Sequence, residues 1–291
     1  MTKKSLLFLG PFILLNSAVI LAALFKTIQV SLGYYPVIGL RHYTLAYFKT
    51  VLGDAAFQRT IGYSLYLALV ATILALVLGL GMAFILLKAS AKHPLLANFF
   101  KIPIALPHII VALMMLQVLS QSGLISRLLY QVGVLQQIDQ FPLLIHDKGG
   151  IGIICVFLYK EIPYVAVSTL AILKQLQLGY VQVAANLGAS PRQIFGRVIL
   201  PMVQPILATL FIILFCFTFT SFEVPFILGS PAQETIAVTA YNLLTQADLT
   251  VRPTAFALNF IMSLICLAVT LLVLGISARL PGGGRRHREK N

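Results

Sequence analysis

Two ionisable residues stand side by side within an apolar run, Lys160 and Glu161 in Tyr159-Lys160-Glu161-Ile162-Pro163. Charge is expensive to bury in hydrocarbon, so such residues are functional candidates by default. Neighbours on a helix point about 100° apart, so the two need not pair with each other. The Glu161 carboxylate can draw a cation along a solute path, and the Lys160 ammonium argues for an anion. Equally, both can neutralise nearby groups and hold a kinked helix against its neighbours. A third candidate, Glu223 in Ser221-Phe222-Glu223-Val224-Pro225, closes an apolar run. It can attract a cationic solute at the mouth of a path, or sit as a solvated carboxylate at a helix end.

Covalent and hydrolytic chemistry find little support. The five histidines, His42, His93, His108, His146 and His287, fall in loops apart from His108, which follows Pro107 and reads as a hydrogen-bonded packing residue. The sequence contains no H-E-x-x-H, no G-x-S-x-G and no G-x-x-x-x-G-K-[ST] phosphate loop. Cys155, Cys216 and Cys266, the three cysteines, lie in apolar stretches without C-x-x-C spacing and read as small free hydrophobes. No cofactor site is expected in this chain, and no enzyme. If ATP drives anything here, another polypeptide must bind it.

The elements that position these residues are spanning helices. Hydrophobic residues make up 59% of the chain, charged residues 10%, and mean hydropathy is +0.95. A water-soluble domain does not sustain such values. Crossing a bilayer as a helix takes about 20 apolar residues. Six segments qualify, near Leu6–Val30, Thr60–Leu87, Phe99–Ser120, Ile151–Leu173, Val203–Phe222 and Thr254–Ala278. The first is too long for the core of a cleaved leader and reads as a retained span. Pro103 and Pro107 predict a broken start to the third, Pro163 a kink in the fourth, and Gly79 and Gly81 close packing of the second. Gln117, Gln121 and Asn259 can line a polar path or bond between helices. The fold class is therefore all-α and polytopic. One membrane domain over 1–280 is followed by a basic, Gly-rich tail at 281–291 suited to anionic lipid.

Net charge is +13, yet the basic residues cluster in short loops and at the C-terminus, which is a topology signal and not a nucleic-acid footprint. Lys3, Lys4, Lys88, Lys92, Lys101, Lys174, Arg192, Arg197, Arg279, Arg285, Arg286, Arg288 and Lys290 fall on one side. Arg41, Lys49, Arg59, Arg127, Lys148 and Arg252 fall on the other, spread over longer loops. Both termini are expected on the cytoplasmic side. The outer loops are Ser31–Arg59 with Tyr34, Tyr35, Tyr43 and Tyr47, then Gln121–Gly150 with a short amphipathic helix over Leu124, Leu128 and Leu129, and Phe222–Pro253.

The most ordered interruption is Tyr180–Pro205, YVQVAANLGASPRQIFGRVILPMVQP. Val181, Ala184, Ala185 and Leu187 share a helix face that Gly188 ends as C′ residue. Ser190 caps a second helix, Pro191 takes its first position, and Gln193 completes an S-x-x-Q box. Ile194, Phe195 and Val198 give that helix an apolar stripe, and Pro201 marks the start of the next span.

This stretch resembles the cytoplasmic loop of permease subunits of binding-protein-dependent ABC importers, which carries E-A-A, three residues, Gly, nine residues, then I-x-L-P. Gln182, Val183 and Ala184 occupy the E-A-A positions, Gly188 the glycine, and Val198-Ile199-Leu200-Pro201 the last motif. The acid is Gln here, the first Ala is Val, and Ile is Val, so any salt bridge through the first position is replaced by a hydrogen bond. SFEVPFILG at Ser221–Gly229 and YKEIP at Tyr159–Pro163 are similar to runs in the polyamine, thiamine, ferric iron and sulfate permeases. The resemblance implies a six-helix type I importer fold whose coupling loop, about 178–201, uses Gln182, Ala184, Ala185, Gly188, Ala189, Ser190, Pro191, Leu200 and Pro201. It further implies a second permease subunit (identical or homologous), two cytoplasmic ATPases holding ATP-Mg, an external solute-binding protein, and a solute such as a polyamine or thiamine. The competing class is a secondary transporter or channel working without an ATPase. That class usually repeats its halves within one chain and coordinates ions at midplane acids. No repeat is visible here, and Glu161 is the one midplane acid.

Overall fold

The computed structural model describes residues 3–89, 98–177 and 179–279. Lys92, His93, Leu178 and the tail at 281–291 lie outside the described residues. Among the described residues the regular structure is helical, with no strand beyond one isolated bridge, Tyr35 to Leu40.

Among the described residues six helices are long and apolar enough to cross a membrane: Leu9–Ser31, Ala55–Leu87, His108–Gln131, Ile151–Leu176, Pro191–Thr220 and Leu249–Arg279. Their outward residues include Phe12, Leu14, Phe25, Val77, Ile85, Leu271 and Leu272. So much exposed apolar surface is stable only against lipid or another subunit.

The chain groups into two units, one of residues 1–62 with 236–264 and one of 63–235 with 265–291. In the first, helix α1 (Lys3–Ser31) ends at Gly33, whose φ of +84° brings Thr44 N–H back onto the Leu32 carbonyl at 2.7 Å. Tyr34 stacks on Tyr43 with ring centroids 5.1 Å apart, and Phe48 of α2 (Ala46–Gly53) meets Phe260 edge-on at 5.8 Å.

The second unit holds the remaining candidates. Helix α3 (Ala55–Ala89) enters it at Tyr63, and α4 (Ile102–Ala105) and α5 (His108–Leu119) follow. The predicted break in the third span is present, because Leu106 and Pro107 are extended, with ψ of 137° and 144°. The amphipathic helix expected in the next loop is α6 (Leu124–Gln131), with Leu124 and Leu128 exposed on one side and Ser126 buried on the other. Helix α7 (Ile151–Gln177) runs through Pro163 without interruption, and its N-terminus is held by Asp147, whose carboxylate accepts the Ile151 N–H at 2.9 Å. The core packs Phe157, Ile153 and Val156 of α7 against Tyr63, Leu67 and Ala71 of α3 and Val111 and Ala112 of α5.

The short helices α8 (Tyr180–Asn186) and α9 (Pro191–Ile194) come next. A π turn over Phe195–Ile199 then joins α9 directly to α10 (Leu200–Thr220). The expected boundary at Pro201 is therefore no break in the chain's course. Leu200 donates to the Phe195 carbonyl five residues back, and this wider turn carries the helix past prolines 201 and 205, which have no N–H to give. Helices α11 (Glu223–Leu228), α12 (Ile236–Thr245) and α13 (Arg252–Arg279) complete the chain.

The paired-glycine expectation in the second span divides. A Cβ at Gly79 would lie 2.5 Å from Val165 Cβ and 3.1 Å from the Ile162 carbonyl, so α3 and α7 approach too closely there for a side chain at this position. A Cβ at Gly81 would meet nothing within 4 Å, so no close approach within the chain calls for a glycine there. Gly79→Ala should cost about 1–3 kcal/mol through overpacking. This would appear as a lower melting midpoint of the detergent-purified protein, whereas Gly81→Ala should leave the midpoint in place.

Candidate functional site

The break between α4 and α5 frees a carbonyl in apolar surroundings, since Leu106 is extended and no helical N–H reaches it. Lys160, one-third of the way along α7, supplies the missing donor. Its ammonium donates to the Leu106 oxygen and lies 3.2 Å from Nδ1 of His108. Lys160 is buried to 8% exposure, and its charge is thus spread over two partners on the neighbouring span. The His108 ring rests on Phe217 with centroids 4.5 Å apart.

Glu161 turns the other way. It is 3% exposed, and Thr218 of α10 donates its hydroxyl to Oε1 at 2.9 Å. The second oxygen, Oε2, is buried with no hydrogen-bond partner. The two neighbours in sequence therefore do not pair with each other: Lys160 ties α7 to the third span, and Glu161 ties it to α10. A cavity of about 180 Å³ adjoins them, walled by Ile104, Tyr164, Leu214 and Phe217. Glu223 is not part of this cluster and stands exposed at the start of α11. Asn259 lies in the other unit, and Gln121 spends its amide on the Phe141 carbonyl at 3.1 Å.

The second candidate region is the bend between α8 and α9. Gly188 has φ of +79°, its N–H reaches the Ala185 carbonyl at 3.0 Å, and the Ala189 N–H reaches Ala184 at 3.0 Å. These two bonds are a Schellman termination, which needs a residue free to adopt the left-handed conformation. Ser190 then closes the predicted box, with its N–H 2.8 Å from Gln193 Oε1 and its hydroxyl 3.4 Å from the Gln193 N–H. Gln182, Ala185, Gly188, Ser190 and Pro191 are exposed, Ala184 and Ala189 half-buried. Leu200 and Pro201 lie at the start of α10, beyond the π turn. Tyr180, Val183 and Leu187 line up at helical spacing and are open, Leu187 at 82%. A shallow apolar depression runs beside them, bounded by Gly179, Ala184 and Val198.

Residues 75–280 match the model of a protein family described as the binding-protein-dependent transport system inner membrane component. The chain belongs to this family. An inner membrane ABC transporter permease protein of Escherichia coli, YdcU, is 29% identical over 198 residues, 65% of this chain and 62% of that protein. The spermidine/putrescine transport system permease protein PotB of Haemophilus influenzae is 27% identical over 195 residues, 67% of this chain and 64% of that protein. The chain thus spans less than two thirds of the length of either relative. In fold, this family member is like a bacterial ABC transporter involved in the import of the acidic polysaccharide alginate, with a TM-score of 0.75 at 19% identity over 95% of this chain and 97% of that one. It is also like the MetNI methionine ABC transporter in an inward facing conformation, with a TM-score of 0.55 at 18% identity over 76% and 96%. The fold is thus that of ABC importer permeases, with six helices among the described residues long and apolar enough to cross a membrane.

The Thr218 partner of Glu161 is the residue that sequence reasoning missed. Thr218→Val removes the donor and leaves a buried carboxylate without a partner, at a cost of about 1–3 kcal/mol. Thr218→Ser should restore most of it, as read from melting midpoints of the purified protein.

Proposed function

We propose that the chain is the solute-path subunit of an ATP-driven importer in a bacterial inner membrane, with both termini in the cytoplasm. It works beside a second permease subunit, identical or homologous. Two ATPase subunits bind ATP-Mg on the cytoplasmic side, and an external solute-binding protein delivers the cargo. Polyamines, thiamine and related small solutes are the substrate range suggested by the likeness to the permeases named above.

The observation that carries this reading is the α8–α9 bend. It offers an open apolar stripe, Tyr180, Val183 and Leu187, on a helix too short to be stable unsupported, and that stripe requires a partner groove. Gln182, Ala184, Ala185, Ala189 and Ser190 keep the surface of the bend small and polar enough for a close fit. Pro191 starts the second arm, which runs through Leu200 and Pro201 into a span. When two ATPases close on ATP, each bend travels with the groove that holds it. The attached helices then repack between inward-open and outward-open arrangements, as alternating access requires. Lys160 and Glu161 border the path, with Glu223 at its outer mouth.

The test is Gly188→Arg, which puts a bulky charge at a left-handed position and in the proposed contact. Solute-stimulated ATP hydrolysis by the reconstituted complex should be lost while membrane insertion stays normal. Gly188→Asn, which tolerates the left-handed conformation, should retain most of it. Normal stimulation in Gly188→Arg would remove the coupling role from this bend.

A further inference from the structure

Among the described residues, His146 is the one non-glycine with a positive φ, +58°. Such a conformation costs an ordinary residue about 1 kcal/mol and persists only where the surroundings hold it. They do so here from both sides. Ile145 before it is buried at 4% exposure, and Asp147 after it is engaged with the Ile151 N–H. Thus fixed, His146 presents two donors in one direction. Its backbone N–H lies 2.9 Å from the Leu228 carbonyl, and Nδ1 lies 2.8 Å from the Gly229 carbonyl. With a carbonyl as partner, Nδ1 carries the proton, in the neutral ring as in the charged one.

Those carbonyls close the C-terminal end of α11. That helix has six residues and carries Val224, Pro225 and Leu228 buried. Val224 and Leu228 fill the space between Tyr63 and Leu67 of α3, Val111 of α5, and Ile153 and Phe157 of α7. α11 is therefore a short cover inserted between three spans, too short to be helical without that packing. Helix C-terminal carbonyls need donors, and the two here are met by one residue on a separate loop, Leu228 by the His146 backbone N–H and Gly229 by its ring.

We infer that His146 is a positioning residue for an outer gate: it latches α11 over the end of the bundle, and the gate opens only when both of its hydrogen bonds break. This rests on the orientation proposed above, which puts α11 on the outer side. Its consequence for transport is that His146 sets how often the cover lifts before a delivered solute can enter.

The experiment labels the cover from outside. In a chain whose Cys155, Cys216 and Cys266 are replaced by alanine, Val224→Cys places a buried thiol under α11. A membrane-impermeant maleimide is applied to intact cells and, separately, to inverted membrane vesicles, with membrane levels matched by immunoblot. His146→Gly keeps the left-handed backbone and removes the ring, so labelling should rise about tenfold, the opening expected from losing a hydrogen bond. His146→Asn tolerates the same backbone and offers an amide donor to Gly229, so labelling should stay near the parental rate. A parental rate in His146→Gly, or a raised rate in His146→Asn, overturns the latch. Should His146→Gly fail to reach the membrane, His146→Asp tolerates the left-handed backbone and has no donor when ionised, and the same two outcomes decide. Reaction from inverted vesicles alone would overturn the orientation, while the ratio between variants would still judge the latch.

Discussion

A backbone carbonyl inside an apolar bundle must find a donor in the protein, because lipid offers none. The break at Leu106 and Pro107 violates the helical way of meeting that demand, and the rest of the inner cluster follows from the repair. Lys160 brings an ammonium to the freed oxygen, and His108 takes a share of the charge. With Lys160 committed to the third span, Glu161 is left to find its own partner on α10, and Thr218 fills only one of its two oxygens. A single irregularity in one helix thus fixes the contacts of three.

The same demand governs the bend outside the core. There water can serve the backbone, yet the chain satisfies it locally, through the Gly188 termination and the reciprocal bonds of Ser190 and Gln193. A bend whose turn is closed by its own groups presents a defined surface to the partner that covers its apolar stripe. Rigid surfaces of this kind transmit displacement, where a flexible loop would absorb it.

Local rules made much of this legible. Apolar length located the six spans, proline chemistry located the break in the third, and the spacing of Gly188, Ser190, Pro191 and Gln193 yielded the bend with its caps. Pairings across long separations were not legible. Nothing near Glu161 points to Thr218, 57 positions away, and nothing near Lys160 points to the Leu106 carbonyl, 54 positions back. Gly79 and Gly81 look alike in sequence, and only the approach of Val165 and Ile162 separates them. Pro201 reads as a boundary because proline usually ends a helix, and the π turn that accommodates it has no sequence signature of its own. His146 looked like one more loop histidine, since a left-handed backbone at a non-glycine residue is imposed by its surroundings.

The π turn has a mechanical meaning. It lodges one surplus residue within a continuous helical rod of 30 residues, Pro191–Thr220. Returning it to α geometry would rotate the segment before it by about 100° against the segment after it, with an axial slip of about 1.5 Å. The rod therefore contains a built-in swivel at Phe195–Ile199, where the arm at Pro191 can turn while Thr218 keeps its hold on Glu161.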